Sequence, residues 1–369
     1  MNLELTDEQV ALREALRRFL AERASITDHV RPLLDDPRGT TEAVWAGLAA
    51  LGTTGLLVPE EHGGAGMTMT EAGVVLEELG RALDPGPWLS TAVAAVRLLG
   101  HVPASDAVGK LLQGIADGSV VATAVLPPPP VAVAGAPGDE VHLSGEVAAV
   151  ADAGAADVLL VPVGDGDASA LYLVAADAPG LTVTARHAVD ATRKRADVSF
   201  REVPARRLGT LAPGAVAAVV DDVLVASAAD ALGAAQAVLE LALDYAKARQ
   251  QFGQAIGAFQ AVQHLCVDMY ETVELARSGV IEALWAADAA DAEERHLAAV
   301  RLKAFAGRLA AVGDMAIQVF GGIGYTWEHD AHLYLKRLLS WSALFGNPDA
   351  YLEEVGRAIV RSVTGTRTG

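Results

Sequence analysis

RQQFGQAIGAFQAVQ, residues 249–263, sits inside a long helical run, yet it holds two glycines, Gly253 and Gly257, where helix propensity favours alanine by about 1 kcal/mol each. On a helix, Arg249, Phe252 and Gly253 are spaced three and four apart, so a guanidinium, an aromatic ring and bare backbone share one face. Such a face suits an anionic, planar ligand such as a dinucleotide. The competing expectation is a helix end, with Gly253 or Gly257 breaking the helix and Arg249 complementing its C-terminal dipole.

Helical periodicity extends on both sides. Segments 215–249, 258–288, 292–319 and 329–361 have the lengths of an antiparallel four-helix bundle joined by short loops. Between the third and fourth lies QVFGGIGY, residues 318–325, where Gly321, Gly322 and Gly324 allow backbone amides to approach a ligand and Gln318 adds a hydrogen-bonding amide. A tight interhelical turn explains one such cluster. Two clusters in one bundle point to a site.

Upstream, the texture is different. Short β-branched segments at 120–126, 131–134, 140–143, 157–163, 170–175, 181–185 and 196–200 are separated by Gly, Asp and Pro turns, with a proline run at 127–130. That spacing predicts a small β-sandwich or barrel. Before it, residues 5–24, 45–51, 70–83 and 89–116 read as helices, the first with Thr6 as N-cap and Gln9 three residues on. GLLVPEEHGGAGMT, residues 55–68, lacks the lysine of a phosphate loop and reads as a structural turn. The expected architecture is a multidomain α+β chain: an N-terminal all-α domain (1–119), a central β domain (120–212) and a C-terminal four-helix bundle (213–369).

Composition narrows the function. The chain has 369 residues, 52% hydrophobic but only 5% aromatic, and a formal charge of −19. No basic surplus exists for a nucleic acid or an anionic membrane. Phosphates would therefore meet local bases, of which Arg193, Lys194, Arg195, Arg206 and Arg207 are the obvious ones. The lone Cys266 excludes an intramolecular disulfide and reads as inert core. The N-terminus lacks a signal-peptide pattern and no segment has transmembrane character, so a cytoplasmic protein is expected. His329 and His332 read as helix surface rather than metal ligands, Glu328 and Asp330 as caps, and Lys336 or Arg337 as partners of a bundle carboxylate.

With VPEEHGGAG, VLEELGRAL, ARQQFGQAIGAFQAVQHLCVDM and QVFGGIGYTWEHDAHLYLKR, the sequence closely resembles the acyl-CoA dehydrogenase family over nearly its whole length. The resemblance implies a flavoenzyme fold that binds FAD and acyl-CoA, takes the α proton on a carboxylate and passes the β hydrogen as hydride to the flavin. It also implies that each FAD is completed across a subunit interface. Matched motif by motif, Arg249, Phe252 and Gln260, with Gln318, Gly321, Gly322 and Gly324, would reach the diphosphate and adenosine side of a neighbour's flavin. Arginine forks onto phosphate oxygens, and glycine amides reach where side chains clash.

Other family signatures are missing. In place of the Thr-Glu-Pro and Gly-Ser-Asp motifs stands ATAVLPPPPVAVAG, residues 122–135, with only Thr123 offering a hydroxyl. The Trp-Ile-Thr motif is replaced by AAVADAG, residues 148–154, which brings in Asp152. The glutamate of the Glu-Gly motif is absent from ALFGNPDAY, residues 343–351, where Leu344 and Phe345 precede Gly346. Counting 26 residues back from Arg249, the alternative position of the base, lands on Val223 beside Asp221 and Asp222. Asp222 is the nearest carboxylate, about 100° of helix out of register; its alternative reading is a solvated or dipole-favoured charge. Asp349 and Glu353 rank below it, and Arg193 reads as a surface residue before it reads as a CoA-phosphate contact.

Removing an α proton at neutral pH needs a positioned base. The lopsided motif set therefore predicts a non-catalytic, flavin-completing subunit paired with a homologous catalytic chain in an α2β2 hetero-oligomer, with electron-transfer flavoprotein as the family's acceptor. The alternatives are a self-sufficient homotetramer with Asp222 as a displaced base, and a redox-inactive structural or acyl-binding subunit. The small bundle side chains permit a long or bulky acyl group, including a polycyclic one, without naming it.

Overall fold

The computed structural model describes residues 4–127, 131–134, 140–164 and 169–365; Pro128, Pro129 and Pro130 of the proline run lie outside the described residues. Its contacts divide the chain into two compact units, one of Ala11–Val75 and Asp84–Val223, the other of Met1–Val10, Leu76–Leu83 and Leu224–Gly369.

Helix α1 (Asp7–Arg23) begins with the expected reciprocal cap, in which Gln9 N–H donates to Thr6 Oγ1 at 3.3 Å and Thr6 N–H to Gln9 Oε1 at 3.0 Å. α2 (Glu42–Ala50) follows and ends at Gly52. The 55–68 segment is a structural turn as expected: the Gly66, Ala65 and Met67 amides donate to the carbonyls of Val58, Gly55 and Leu56. α3 (Met69–Arg81) opens with Thr68 donating both its amide and its hydroxyl to Glu71 Oε2, at 3.0 and 2.6 Å. A π-helical segment, Leu89–Ala95, then runs into α4 (Val96–Leu99), and α5 (Asp106–Ala116) closes the helical part.

All seven expected strands form: β1 (Ala122–Ala124), β2 (Ala132–Ala134), β3 (Glu140–Ala151), β4 (Val158–Val163), β5 (Ala170–Ala175), β6 (Leu181–Ala185) and β7 (Arg195–Thr210). They make one hydrogen-bonded sheet in the order β1-β4-β5-β7-β3-β2, with β6 also on β7, rather than two separate sheets. β3 and β7 run far beyond their predicted ends, and register shifts at Leu143/Gly145 and Val147/Val150 bend their ladder. Val141, Leu143, Leu159, Val161, Tyr172, Val174, Val198, Phe200 and Val203 fill the core of this sheet.

Helix α6 (Ala215–Ala248) ends at the start of the opening motif. Residues 249–255 are not helical: β8 (Gln250–Gln251) and β9 (Gln254–Ala255) form a two-residue hairpin. α7 (Gln260–Ala289) and α8 (Ala292–Phe320) follow. The fourth expected helix is two helices, α9 (Ala331–Ala343) and α10 (Pro348–Gly365). They part where Phe345 and Gly346 adopt φ of +55° and +126°, values incompatible with a continuing helix. Leu76–Leu83 crosses α6 at backbone distance: a Cβ on Gly80 would lie 1.9 Å from the Asp230 carbonyl oxygen, and one on Gly233 1.8 Å from that of Glu77.

Candidate functional site

The helical-face reading of the opening motif is replaced by something sharper. Phe252 and Gly253 are the two turn residues of the hairpin, with φ of +52° and +83°. A turn with both central residues left-handed matches the twist of a hairpin, and glycine or asparagine normally fills it. Phenylalanine in that conformation costs on the order of 1 kcal/mol. Its ring is 92% exposed and touches Phe259 edge-on, centroids 6.0 Å apart. Arg249 precedes the hairpin and Gln260 follows it, both exposed, and no described residue engages either side chain.

The second glycine cluster is brought to the same end of the bundle. The last turns of α6 and α8 meet through Tyr245 and Phe320, ring centroids 5.2 Å apart, and His329 stacks on Phe320 at 4.3 Å. Gly321, with φ +65°, ends α8, and Gly324 turns the chain against Phe320. Gly322 is different: its φ is ordinary and a Cβ there would meet nothing within 4 Å. Nothing in this chain requires glycine at that position. Gln318, one turn earlier, is exposed and unengaged. Around the loop, Tyr325 and Trp327 are 75% and 63% exposed, and the Lys336 ammonium lies 4.4 Å from the centre of the Trp327 ring.

Several bundle readings change. His332 is buried, not surface, and packs edge-on against Trp327 at 4.7 Å. Asp330 makes no side-chain cap; His329 Nδ1 accepts from the Ala331 amide instead. Lys336 stacks on an indole rather than pairing with an acid, whereas Arg337 does pair, with buried Asp230 at 2.9 Å. Cys266 is half-buried rather than core, and partial desolvation pushes its thiol up.

The sheet-bearing unit tells the opposite story. Thr123 donates its hydroxyl to the Ala151 carbonyl at 2.7 Å, and the Asp152 carboxylate accepts from Ser90 in the π-helical segment. Thr91, next along that segment, donates to the Ala122 carbonyl at 2.9 Å. The polar groups in the region of the missing motifs are thus engaged within the chain. Lys194 is not a phosphate contact: its ammonium is buried and donates to the carbonyls of Leu33, Leu34 and Ala191 at 2.5, 2.8 and 2.9 Å. Arg207 donates to Thr210, and Arg193 lines a cavity of mixed charge, with Asp35, Asp36 and Asp190 beside Arg186, Lys194 and Arg195.

Asp222 is 1% exposed, which removes the solvated-charge reading, and its Oδ2 accepts from Arg97 Nε at 2.9 Å. Asp349 and Glu353 are exposed on α10. Among the described residues no group of three metal-ligating side chains converges, and no helix is long and apolar enough to cross a membrane.

Sequence reasoning missed Lys303. It is fully buried on α8, donates to the Trp341 and Ser342 carbonyls at 2.7 Å each, and so caps the end of α9. The amine also lies 5.6 and 5.9 Å from the ring centres of Trp341 and Tyr351. Burial pushes it down to about 8. Its position gave the signal: Ala299, Lys303, Ala306 and Ala310 recur at helical spacing on one buried face.

The chain thus combines N-terminal helices, a seven-stranded sheet and a helical bundle that carries an exposed hairpin and glycine loop at one end. The chain belongs to the acyl-CoA dehydrogenase family: residues 6–119 match the model of its N-terminal domain and residues 225–360 that of its C-terminal domain. Acyl-CoA dehydrogenase IpdE2 of Mycobacterium tuberculosis is 33% identical over 95% of this chain and 96% of that protein. FadE34 of the same organism is 36% identical over 95% of this chain but 48% of its own length. Among solved structures, a Tcur3481-Tcur3483 steroid ACAD variant superposes with a TM-score of 0.87 at 30% identity, covering 97% of this chain and 99% of that one. The Mycobacterium tuberculosis ChsE4-ChsE5 complex gives 0.87 at 24% identity, covering 98% and 99%, a likeness of fold.

FAD is the cofactor of this family, and the two regions differ in how they fit it. The bundle end offers a free guanidinium, two primary amides and bare backbone, the donor set a diphosphate and adenosine need. In the Thr123–Asp152 region, among the described residues, the Thr123 hydroxyl and the Asp152 carboxylate are already bonded within the chain.

Proposed function

We propose that this chain is the non-catalytic, flavin-completing subunit of a hetero-oligomeric acyl-CoA dehydrogenase. Arg249 and Gln318 bind the diphosphate of FAD held mainly by a homologous catalytic chain, Gly322 admits the cofactor to the backbone, and Phe252 packs against partner and cofactor. Bound FAD supplies the hydride acceptor for α,β-dehydrogenation of an acyl-CoA; the partner supplies the base. The observation that carries this reading is the contrast between an exposed, unengaged Arg249–Gln318 set and a Thr123–Asp152 region bonded into its own chain.

The likeness to a steroid ACAD at 30% identity supports an acyl-CoA with a polycyclic acyl group, and electron-transfer flavoprotein is the acceptor to assay first. Co-expression with homologous chains, followed by flavin-to-chain stoichiometry, tests the reading: one FAD per pair of unlike chains supports it, and one FAD per copy of this chain refutes it. A second reading rests on the burial of Asp222: a homotetramer in which it serves as base. Asp222→Asn with retained flavin and abolished turnover of the isolated chain would favour it.

A further inference from the structure

The turn from β6 into β7 and the segment 34–37 enclose a cavity of about 70 Å³, where a single water needs roughly 10–15 Å³. Its walls belong to the sheet-bearing unit, and none of them to the Arg249–Gln318 set. They close tightly because Gly154 has no side chain: a Cβ there would lie 2.8 Å from the Pro37 carbonyl oxygen. Lys194 ties the turn to the other wall through its bonds to the Leu33 and Leu34 carbonyls.

One lining carboxylate is half satisfied. Asp190 is 2% exposed, and its Oδ1 accepts from the Thr192 amide at 2.9 Å and hydroxyl at 2.5 Å, which fixes the group. Its Oδ2 is buried and has no hydrogen-bond partner among the described residues. Leaving a charged acceptor buried and unpaired is costly, so a donor belongs there. Arg195 has the converse need. Among the described residues its guanidinium makes one hydrogen bond, from Nη1 to the Ala149 carbonyl at 3.4 Å, and most of its five N–H donors stay open.

Charge balance narrows the occupant. Arg186 is paired with Asp197 at 2.9 Å, which leaves Asp35, Asp36 and Asp190 against Arg193, Lys194 and Arg195. An anion meets three carboxylates and a cation three bases, and among the described residues no three metal-ligating side chains converge. The Lys194 ammonium sits at the wall that carries Asp35 and Asp36, so the charges form no separate poles for a zwitterion. What fits is an uncharged group that donates to Asp190 and accepts from Arg195, and a hydroxyl does both.

We propose that this cavity binds the vicinal diol of a small sugar or polyol, one hydroxyl donating to Asp190 Oδ2 and a hydroxyl oxygen accepting from Arg195. A carboxylate holds a ribose hydroxyl in the same manner in dinucleotide-binding folds. The site needs neither flavin nor a partner chain and stands apart from the proposed function.

Titration calorimetry and ligand-observed NMR on the full chain test this with methyl β-D-ribofuranoside, its 2-deoxy analogue, adenosine, glycine, inorganic phosphate and magnesium. The ribofuranoside should bind saturably and the 2-deoxy analogue about tenfold more weakly or worse, because the open Asp190 oxygen loses a donor. Asp190→Asn, which sets an amide donor in place of Oδ2, should weaken the ribofuranoside about tenfold or more. Arg195→Lys keeps the charge, removes the fork and should weaken it too; with the deoxy comparison on the wild type, it carries the test if Asp190→Asn does not fold. Adenosine binding far more tightly than the ribofuranoside assigns the diol to a nucleoside, and equal binding assigns it to a free sugar; either supports the site when Asp190→Asn removes it. No saturable binding of either, equal binding of the 2-deoxy analogue, binding unchanged in Asp190→Asn, or preference for glycine, phosphate or magnesium overturns the proposal. So does a crystal soaked in the ribofuranoside that shows only water beside Asp190.

Discussion

Phe252, at the tip of the hairpin, stands edge-on to Phe259, with ring planes 87° apart and centroids 6.0 Å apart. The chain holds a large aromatic side chain in a left-handed turn, almost wholly exposed, where a small polar residue is more stable. Stability of this chain alone does not account for it.

Replacing Phe252 by Asn should therefore leave the free chain as stable or up to about 1 kcal/mol more stable. The same variant should lower flavin retention in the assembled complex. Chemical denaturation of the chain and absorbance of the complex check the two halves separately; a destabilised free chain would show that the ring serves the fold.

Gly322→Ala makes a parallel case. No atom of the chain obstructs the added methyl and the backbone is unstrained, so thermal stability should hold or rise by a few tenths of a kcal/mol. Flavin binding by the complex should fall, because the methyl occupies the approach to the backbone. Isothermal titration with FAD measures that loss.

The Arg337–Asp230 pair is buried on both sides, with guanidinium and carboxylate 1% and 4% exposed. Asp230→Ala leaves a buried charge uncompensated and should cost about 3–5 kcal/mol, whereas removing both charges with apolar residues should cost much less. Urea unfolding of the single and double variants gives the comparison.

Lys303 makes a pH-dependent prediction. Its folded-state value near 8 lies below the ordinary 10.5, so between these pH values the unfolded chain holds a proton that the folded chain has released. Stability then rises with pH across that window, by at most about 1.4 kcal/mol per unit and less with partial screening. Relative to Lys303→Met, which lacks the titration, the wild type should gain stability from pH 8 to 10.5. A flat or falling difference would contradict the burial of a charged amine at the end of α9.

Much of this was legible in the sequence, for identifiable reasons. The strands are legible because they are short apolar runs, most of them rich in Val and Thr, set between Gly, Pro and Asp, and the Thr6–Gln9 cap because its spacing is diagnostic. The extensions of β3 and β7 were not, because Gly145, Pro204 and the bulges interrupt the alternation that period-2 patterning needs. The hairpin at 250–255 was hidden by helical spacing on both sides, although Gly253 marked the break. The division of α9 from α10 depends on backbone angles at Phe345 and Gly346 and on a lysine from another helix, neither of which local pattern records. At the site, Arg249, Phe252, Gln318 and Gly322 were singled out as residues. The inward bonding of Thr123 and Asp152 leaves no mark in the sequence, because their partners, Ala151 and Ser90, carry no local signal.

The account is tested most directly by the flavin content and acyl-CoA oxidation of this chain purified alone, measured beside the same chain co-purified with its homologous partner. The account predicts no stoichiometric FAD and no turnover alone, and one FAD per unlike pair with turnover in the complex. One FAD per chain and full oxidation by the isolated protein would contradict it.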